Sequence, residues 1–169
     1  MFELNLRRLE KGPVEFRGAI SADDPVWGDS DTRPAGDVAV EATATGSPTR
    51  GVHVRGSLSA EILRACRRCL EPVRLSVSDD FSLLFDPKIS RIEEDLRAYA
   101  LDPRAELLDL KPALRERFIL AVPTYIVCSS DCRGLCARCG ANLNEEACEC
   151  GPVGPDPRWG PLVALRREP

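Results

Sequence analysis

The stretch "CSSDCRGLCARCGANLNEEACEC", residues 128–150, holds six of the eight cysteines in a chain of 169 residues. The other two lie far upstream in "ACRRCLEP", as Cys66 and Cys69. The segment 128–150 has too few large apolar side chains to fold by apolar burial, so its structure must depend on what its sulfurs bind. Whether they bind metal or one another depends on the cellular compartment and on their spacing.

The N-terminus, "MFELNLRRLEKG", points to a reducing compartment. It is charged within its first three residues and lacks the continuous apolar stretch of a signal peptide. No segment approaches the roughly 20 consecutive apolar residues that span a bilayer. We therefore expect a cytoplasmic protein with no membrane partner. In the cytosol, cysteines in such numbers bind metal more often than they form disulfides.

The spacing of the cysteines favours two zinc ions. A Cys-x-x-Cys turn directs two sulfurs to one point, and a structural zinc takes four tetrahedral ligands, so each such turn needs a second pair of cysteines. Nearby partners follow the Cys-x-x-Cys at 136–139, which leaves the pair at 128 and 132 for the distant Cys-x-x-Cys at 66–69. The predicted ligand sets are Cys66, Cys69, Cys128 and Cys132 for one ion, and Cys136, Cys139, Cys148 and Cys150 for the other.

The sequence leaves other interpretations of the cysteines open. A single site made of Cys128, Cys132, Cys136 and Cys139 would leave the other cysteines free. Four cysteines can also hold an iron–sulfur cluster. A Cys-x-x-Cys pair can act as a redox switch, and a free cysteine is often only a small buried side chain.

The charge of the chain restricts how it can contact nucleic acid. The net charge is −4 and the isoelectric point is about 5.2, whereas proteins that bind a duplex by bulk attraction are usually basic. Contact with RNA would therefore need a local basic patch. Arginines are suited to form it, because guanidinium groups bind phosphate well. The candidate RNA-binding residues are the arginines beside the cysteines: Arg64, Arg67, Arg68, Arg133 and Arg138. The alternative is that these arginines are only solvated charges on turns.

No feature of the sequence indicates catalysis. The motifs GxxxxGK[ST], HExxH and GxSxG are missing, and the single histidine, His53, lies among valines. Zinc ligated by four sulfurs also leaves no position for a catalytic water. We therefore expect a protein that is not an enzyme and that has no small-molecule substrate.

The apolar pattern before residue 100 predicts mainly strands. Alternation over residues 37–46 and again from residue 51 predicts a hairpin. A further strand over residues 70–85 is interrupted at Asp79-Asp80, so that Cys66 and Cys69 fall at the turn between two strands. Shorter extended runs are predicted at Phe2–Leu9, Val14–Ile20 and Leu96–Leu101.

One main helix is predicted after these strands. Asp109 caps it and Pro123 ends it, and one stripe carries Leu110, Leu114, Phe118 and Ala121. The fold class is therefore α+β: an antiparallel sheet with one main helix, a zinc-ribbon-like Cys-rich segment and a short C-terminal helix. The predicted domains are an α+β main domain (1–127), the Cys-rich zinc-binding segment docked on it (128–156) and the C-terminal helix (157–169).

Two of these segments together resemble the YceD family of bacterial proteins. They are "ACRRCLEPV", residues 65–73, and "LRERFILAVPTYIVCSSDCRGLCARCGANLN", residues 114–144, followed by "CEC". The resemblance implies an α+β fold, a role in the accumulation of large-subunit ribosomal RNA, and no catalytic residue. The implied partners are large-subunit ribosomal RNA or a pre-ribosomal particle, and a ribosomal protein, because the family's gene commonly neighbours the gene of one.

The sequence thus favours a non-enzymatic, zinc-binding factor that supports the accumulation, processing or assembly of large-subunit ribosomal RNA. Two alternatives belong to other functional classes. One is a protein–protein adaptor without RNA contact, which the acidic isoelectric point favours. The other is a thiol redox sensor whose oxidation ejects zinc.

Overall fold

The computed structural model describes residues 2–28, 32–47, 50–89, 98–151 and 157–160. Within these ranges, the strands are β1 (Glu3–Asn5), β2 (Val14–Ile20), β3 (Val38–Gly46), β4 (Val52–Ala65), β5 (Pro72–Asp86), β6 (Ala98–Ala100) and β7 (Leu107–Asp109). The α-helix is α1 (Lys111–Ala121), and short 3-10 helices cover Leu6–Lys11, Pro25–Trp27 and Pro157–Trp159. No helix among the described residues is long and apolar enough to cross a membrane.

Strands β2, β3, β4 and β5 follow one another as an antiparallel meander, and β6 adds a fifth strand beside β5. The predicted hairpin is confirmed, because β3 and β4 pair antiparallel with Val40 opposite Leu58. The sheet is not purely antiparallel, however, because β6 runs parallel to β5, with Leu84 opposite Ala98. A strand of three residues is too short for its pattern to indicate a pairing direction. The mixed sheet with one main helix is compatible with the predicted α+β class.

The helix α1 covers one face of this sheet. Along β4, the side chains of Val54, Leu58 and Ile62 are buried on that face, and their neighbours on the opposite face are exposed. The ring of Trp27 contacts that of Phe118 of α1 edge-on, with 5.2 Å between the ring centroids. The alternation that predicts the strands therefore also selects the face on which the helix packs.

The expected interruption at Asp79-Asp80 is wrong, because β5 runs without a break from Pro72 to Asp86. Asp79 lies on the face that α1 covers, and its carboxylate accepts two hydrogen bonds from the guanidinium of Arg117, at 2.9 and 3.1 Å. Asp80 points to the exposed face. A charge paired in this bidentate way is tolerated at the edge of a core, and this pair attaches α1 to β5.

The predicted N-terminal strand is longer than the strand in the structure. Extended backbone covers only Glu3–Asn5, which pairs with β7, because the Asn5 side chain accepts a hydrogen bond from the Arg7 N–H at 3.0 Å and begins a 3-10 helix. Most of the predicted C-terminal helix lies outside the described residues, as does the start of the strand predicted near Leu96. The predicted cap at Asp109 lies one residue early, because the N-cap of α1 is Leu110, which makes no side-chain cap hydrogen bond; the Asp109 carboxylate instead accepts the Lys111 N–H at 2.9 Å from the preceding position.

Gly56 is expected to be essential for the close pairing of β3 and β4. A Cβ atom at this position would lie 2.1 Å from the Glu41 carbonyl oxygen and 2.7 Å from the Ala42 Cα. We expect Gly56→Ala to lower the free energy of unfolding by about 1–3 kcal/mol or more, because overpacking forces the backbone to shift. Urea denaturation measures this. Gly36→Ala is the control, because a Cβ there meets nothing within 4 Å; an equal loss in both variants would contradict the prediction.

Candidate metal centres

The turn between β4 and β5 places Cys66 and Cys69 on one side of the chain. The Leu70 N–H donates to the Cys66 carbonyl at 3.0 Å, and the Cys66 N–H donates to the Glu71 carbonyl at 2.8 Å. Leu70 adopts a φ of 65° to close this turn, a left-handed conformation that costs a residue with a side chain some strain. The turn thus has a geometry that a Cys-x-x-Cys metal site requires.

A second turn of the same kind carries Cys136 and Cys139. Gly140 N–H donates to the Cys136 carbonyl at 2.9 Å, and Cys136 N–H donates to the Ala141 carbonyl at 2.8 Å. Gly140 has a φ of 76°, the position that Leu70 occupies in the first turn. The two Cys-x-x-Cys turns therefore repeat one backbone design, although they lie far apart in the sequence.

The segment that follows α1 brings two more cysteines to the first turn. The Arg67 N–H donates to the Ile126 carbonyl at 2.8 Å, and the Cys128 N–H donates to the Cys66 Sγ at 3.4 Å. We call the group Cys66, Cys69, Cys128 and Cys132 the inner cluster. Its sulfurs all lie within 4.8 Å of one another, so the chain after the helix is joined to the tip of the β4–β5 hairpin.

The sulfur separations in the inner cluster match a tetrahedral metal site. The Sγ atoms of Cys66 and Cys132 are 3.8 Å apart, and those of Cys69 and Cys128 are 3.6 Å apart. Tetrahedral zinc with a Zn–S bond of about 2.3 Å separates its sulfurs by about 3.8 Å. A disulfide would need about 2.05 Å, and none of the eight cysteines is in a disulfide.

The inner cluster is largely buried, with only Cys128 exposed. Cys66, Cys69 and Cys132 are 0%, 3% and 4% exposed, and Val73, Val127 and Leu135 pack against them. Burial raises the pKa of the Cys66 thiol, but the N–H groups of Cys69, Arg68 and Cys128 donate to its sulfur and bring the pKa down to about 6. Donors of this kind favour the thiolate, which is the form that ligates metal.

The remaining cysteines form what we call the outer cluster: Cys136, Cys139, Cys148 and Cys150. Its sulfurs also lie within 4.8 Å of one another, but each of its cysteines is partly or fully exposed. Hydrogen bonds from the backbone N–H groups of Cys139 and Arg138 lower the pKa of Cys136 to about 6. Both clusters therefore place N–H donors on the sulfur of their first cysteine.

The structure groups the eight sulfurs into the two sets that the spacing favours. In the single-site alternative, Cys128 and Cys132 would share a site with Cys136 and Cys139, whereas the structure assigns these two pairs to different clusters. Either cluster offers a complete set of four sulfurs to one ion. The identity of that ion is not given by this geometry and stays a prediction.

The arginines predicted to bind RNA do not share one environment. Arg68 donates from Nη1 to the carbonyls of Cys132 at 3.0 Å and Ser130 at 3.4 Å, and from Nε to the Tyr125 hydroxyl at 3.3 Å. Its guanidinium thus holds the segment after α1 against the first turn, a role that the spacing of residues in the sequence does not indicate. A Cβ at Gly134 would lie 3.0 Å from the Arg68 carbonyl oxygen, so position 134 favours glycine.

Arg68 is itself exposed, and so are two further arginines beside the inner cluster, Arg67 and Arg133. Among the described residues, neither side chain has a hydrogen-bond or ion-pair partner, and residues 133–135 lie against residue 68 through the Leu135 N–H to Arg68 carbonyl bond of 3.0 Å. Arg64 and Arg67 also line a groove of about 510 Å³, and most of its other lining residues are apolar, including Ile119 and Val122. Arg138 is exposed in the outer cluster.

Comparison with known proteins identifies the family. A family model described as "Large ribosomal RNA subunit accumulation protein YceD" matches residues 54–166. The chain belongs to the YceD family. The match includes both clusters, and the description of the family names the accumulation of an RNA and no chemical reaction.

The chain has relatives in plants and mycobacteria. The chain is 36% identical over 66 residues to the chloroplastic YCED homolog 1 of Arabidopsis thaliana, covering 39% of this chain and 21% of the plant protein. It is 36% identical over 123 residues to an uncharacterized protein of Mycobacterium tuberculosis, covering 70% of this chain and 58% of that protein. The chain thus spans only part of these relatives. No solved structure matches it.

Proposed function

We propose that this YceD protein is a non-enzymatic, zinc-binding factor that supports the accumulation, processing or assembly of large-subunit ribosomal RNA. The observation that carries the proposal is the family match over residues 54–166, a span that contains both four-sulfur clusters. We place it in the cytoplasm, with a main domain over 1–127, the Cys-rich segment over 128–156 and a C-terminal helix over 157–169. Its partner is large-subunit ribosomal RNA or a pre-ribosomal particle.

Zinc is the metal that fits both clusters. Thiolate ligands select soft or borderline metals, and four of them in a tetrahedral set are typical of structural zinc. When bound, zinc supplies a cross-link between chain segments and no open coordination position for chemistry. The residues of this chain have two further roles: N–H donors favour the thiolate form of the sulfurs, and Val73, Val127 and Leu135 pack against the three buried cysteines of the inner cluster.

Two zinc ions per chain are expected. Native mass spectrometry of protein purified without chelator should show a mass increase of two zinc ions, since each cluster supplies four sulfurs to one ion. An apo mass, a single ion or the visible absorbance of an iron–sulfur cluster would contradict this prediction. Zinc measured by elemental analysis on the same preparation serves as the independent check.

The contact with RNA is proposed to be local and made by arginine. The chain has a net charge of −4, so bulk attraction to phosphate is unfavourable. Arg67 and Arg133 are exposed beside the inner cluster and have no side-chain partner among the described residues. Arg64 lines the same groove as Arg67, and Arg138 is exposed between Cys136 and Cys139. Arg68 contributes indirectly, because its guanidinium orders the loop that carries Arg133.

Loss of the protein tests the function directly. We expect cells depleted of it to contain less mature large-subunit ribosomal RNA, with small-subunit RNA spared, when both are quantified by primer extension and northern blotting. A tagged copy should travel with pre-ribosomal particles in a sucrose gradient. Equal loss of both RNAs, or a protein that stays at the top of the gradient with RNA levels unchanged, would refute a direct role in large-subunit assembly.

A protein–protein adaptor is the second candidate, because an apolar surface lies beside the basic one. Leu70 is 63% exposed at the tip of the first turn and lines the groove with Ile119, Val122 and Pro123. Exposed apolar side chains that lie together in this way often mark a protein–protein interaction site. Salt-dependent binding to naked ribosomal RNA separates the candidates, because an adaptor would bind the particle but not the RNA alone.

A further inference from the structure

The loop that closes the outer cluster also touches the inner cluster. Asn144 lies between Cys139 and Cys148, and its Nδ2 is 3.4 Å from the Cys132 Sγ. Its Oδ1 accepts the Arg133 N–H at 2.7 Å. One side chain of the outer-cluster loop thus donates to a ligand sulfur of the inner cluster and orders the residue that follows it.

The position of Asn144 depends on how this loop is held. The Leu143 N–H donates to the Gly134 carbonyl at 2.9 Å, and Leu135 forms an isolated bridge with Asn142. The Asn144 N–H donates to the Asn142 Oδ1 at 3.1 Å. Glu145 and Glu146 are exposed, so the loop has little apolar burial of its own. Its two ends are fixed at Cys139 and Cys148, which the outer metal would hold together.

The two clusters differ in how easily an incoming ion or ligand can reach them. Three of the four inner cysteines are less than 5% exposed and only Cys128 is exposed, whereas all four outer cysteines are partly or fully exposed. An incoming ligand has to contact the metal as a sulfur leaves it, and the inner cluster offers one exposed cysteine for this contact. The outer metal should therefore exchange first and the inner metal later.

We propose that Asn144 couples the two metal sites, so that the outer metal, by holding the loop, keeps the Asn144 amide on the Cys132 sulfur and thereby retains the inner metal. This rests on the proposed function, because it requires both clusters to bind metal. Asn144 is a positioning residue: it donates to a ligand and does not itself bind the ion. Hydrogen bonds to ligand atoms commonly change metal affinity by about 10- to 100-fold.

The coupling predicts the order and the rate of metal loss. The full chain loaded with two ions of one zinc isotope is transferred to an excess of a second zinc isotope, which refills the outer cluster as it empties, and native mass spectrometry follows the replacement of the first isotope. Wild type should release one equivalent rapidly and one slowly. Cys148→Ser should lack the fast phase, which assigns that phase to the outer cluster, and its remaining equivalent should leave about 10- to 100-fold faster than the slow phase of wild type.

Asn144→Asp removes the two hydrogen bonds that Nδ2 donates, one to the Cys132 sulfur and one to the Asn142 Oδ1 at 2.9 Å. The carboxylate can still accept the Arg133 N–H, but it cannot donate to Cys132 and it repels a thiolate. The slow phase should accelerate about 10- to 100-fold while the fast phase is unchanged, and combining Asn144→Asp with Cys148→Ser should add little further. Glu146→Ala, in the same loop with an exposed side chain, is the matched control and should leave both phases unchanged.

The possible failures are distinguishable. Two equivalents released at one rate, or an Asn144→Asp slow phase within twofold of wild type, would overturn the coupling while leaving both metal sites in place. A chain that takes up no metal would overturn the metal sites themselves, and this inference with them. Circular dichroism of each loaded variant shows whether faster release reflects the lost hydrogen bond or a general loss of structure. An Asn144→Asp protein that is unfolded when loaded would count against the coupling, because Asp and Asn have nearly the same shape and only the hydrogen bonding should change.

Discussion

Substituting serine for Cys66 is expected to reduce the bound metal from two ions to one and to lower the melting temperature of the main sheet by about 10 °C or more. The Cys66 sulfur accepts N–H groups from Arg68, Cys69 and Cys128 and lies 3.8 Å from the Cys132 sulfur. It therefore occupies the centre of the site that joins the β4–β5 hairpin to the chain after α1. Because binding a structural metal contributes to the folding free energy, losing this site removes a long-range cross-link.

Cys148→Ser is the matched control for this prediction. It also removes one cysteine and one ion, but from the outer cluster, whose cysteines lie within the short range 136–150. We expect calorimetry to show a fall in melting temperature less than half that of Cys66→Ser, with elemental analysis giving one zinc ion in both variants. Equal falls, or two ions retained by Cys66→Ser, would show that the inner cluster does not hold the main sheet to the segment after the helix.

Part of this site could be predicted from the sequence because its chemistry is local. A Cys-x-x-Cys turn fixes two sulfurs through bonds between neighbouring residues, as Gly140 N–H to Cys136 carbonyl shows. Eight cysteines must also divide into sets of four if both turns bind metal. The grouping of Cys66 with Cys128 follows from that count and not from any long-range pattern.

The rest could not be predicted because it depends on contacts between distant segments. Asp79 looked like a strand break because a charge is unfavourable in a core, and only the position of Arg117 on α1 explains why it is tolerated. Arg68 looked like a phosphate ligand, but its guanidinium donates to the carbonyls of Ser130 and Cys132. Asn144 had no distinguishing pattern at all, since its role exists only where two loops meet.

Reversing the charge of two exposed arginines is expected to weaken RNA association on the order of 100-fold. Each charge-assisted contact with a phosphate contributes about a tenfold change in affinity or more, and Arg67→Glu with Arg133→Glu removes two of them. Arg68 is left unchanged because its loss would disorder the loop that carries Arg133. Binding is measured with fragments of large-subunit ribosomal RNA and by co-sedimentation with pre-ribosomal particles, on protein shown to retain two zinc ions.

Salt dependence and a remote control decide whether the effect is specific. Each phosphate contact contributes about 0.7 to 0.9 to the slope of log affinity against log salt, so the double variant should lose about 1.5 from that slope. Arg8→Glu with Arg50→Glu changes the net charge equally. These residues lie near the other end of the 14-residue strand β4, roughly 40 Å away at about 3.3 Å per residue. If both double variants lose affinity equally, only bulk charge matters. If neither does, the arginines are solvated and the groove lined by Leu70 becomes the better contact surface, as an adaptor requires.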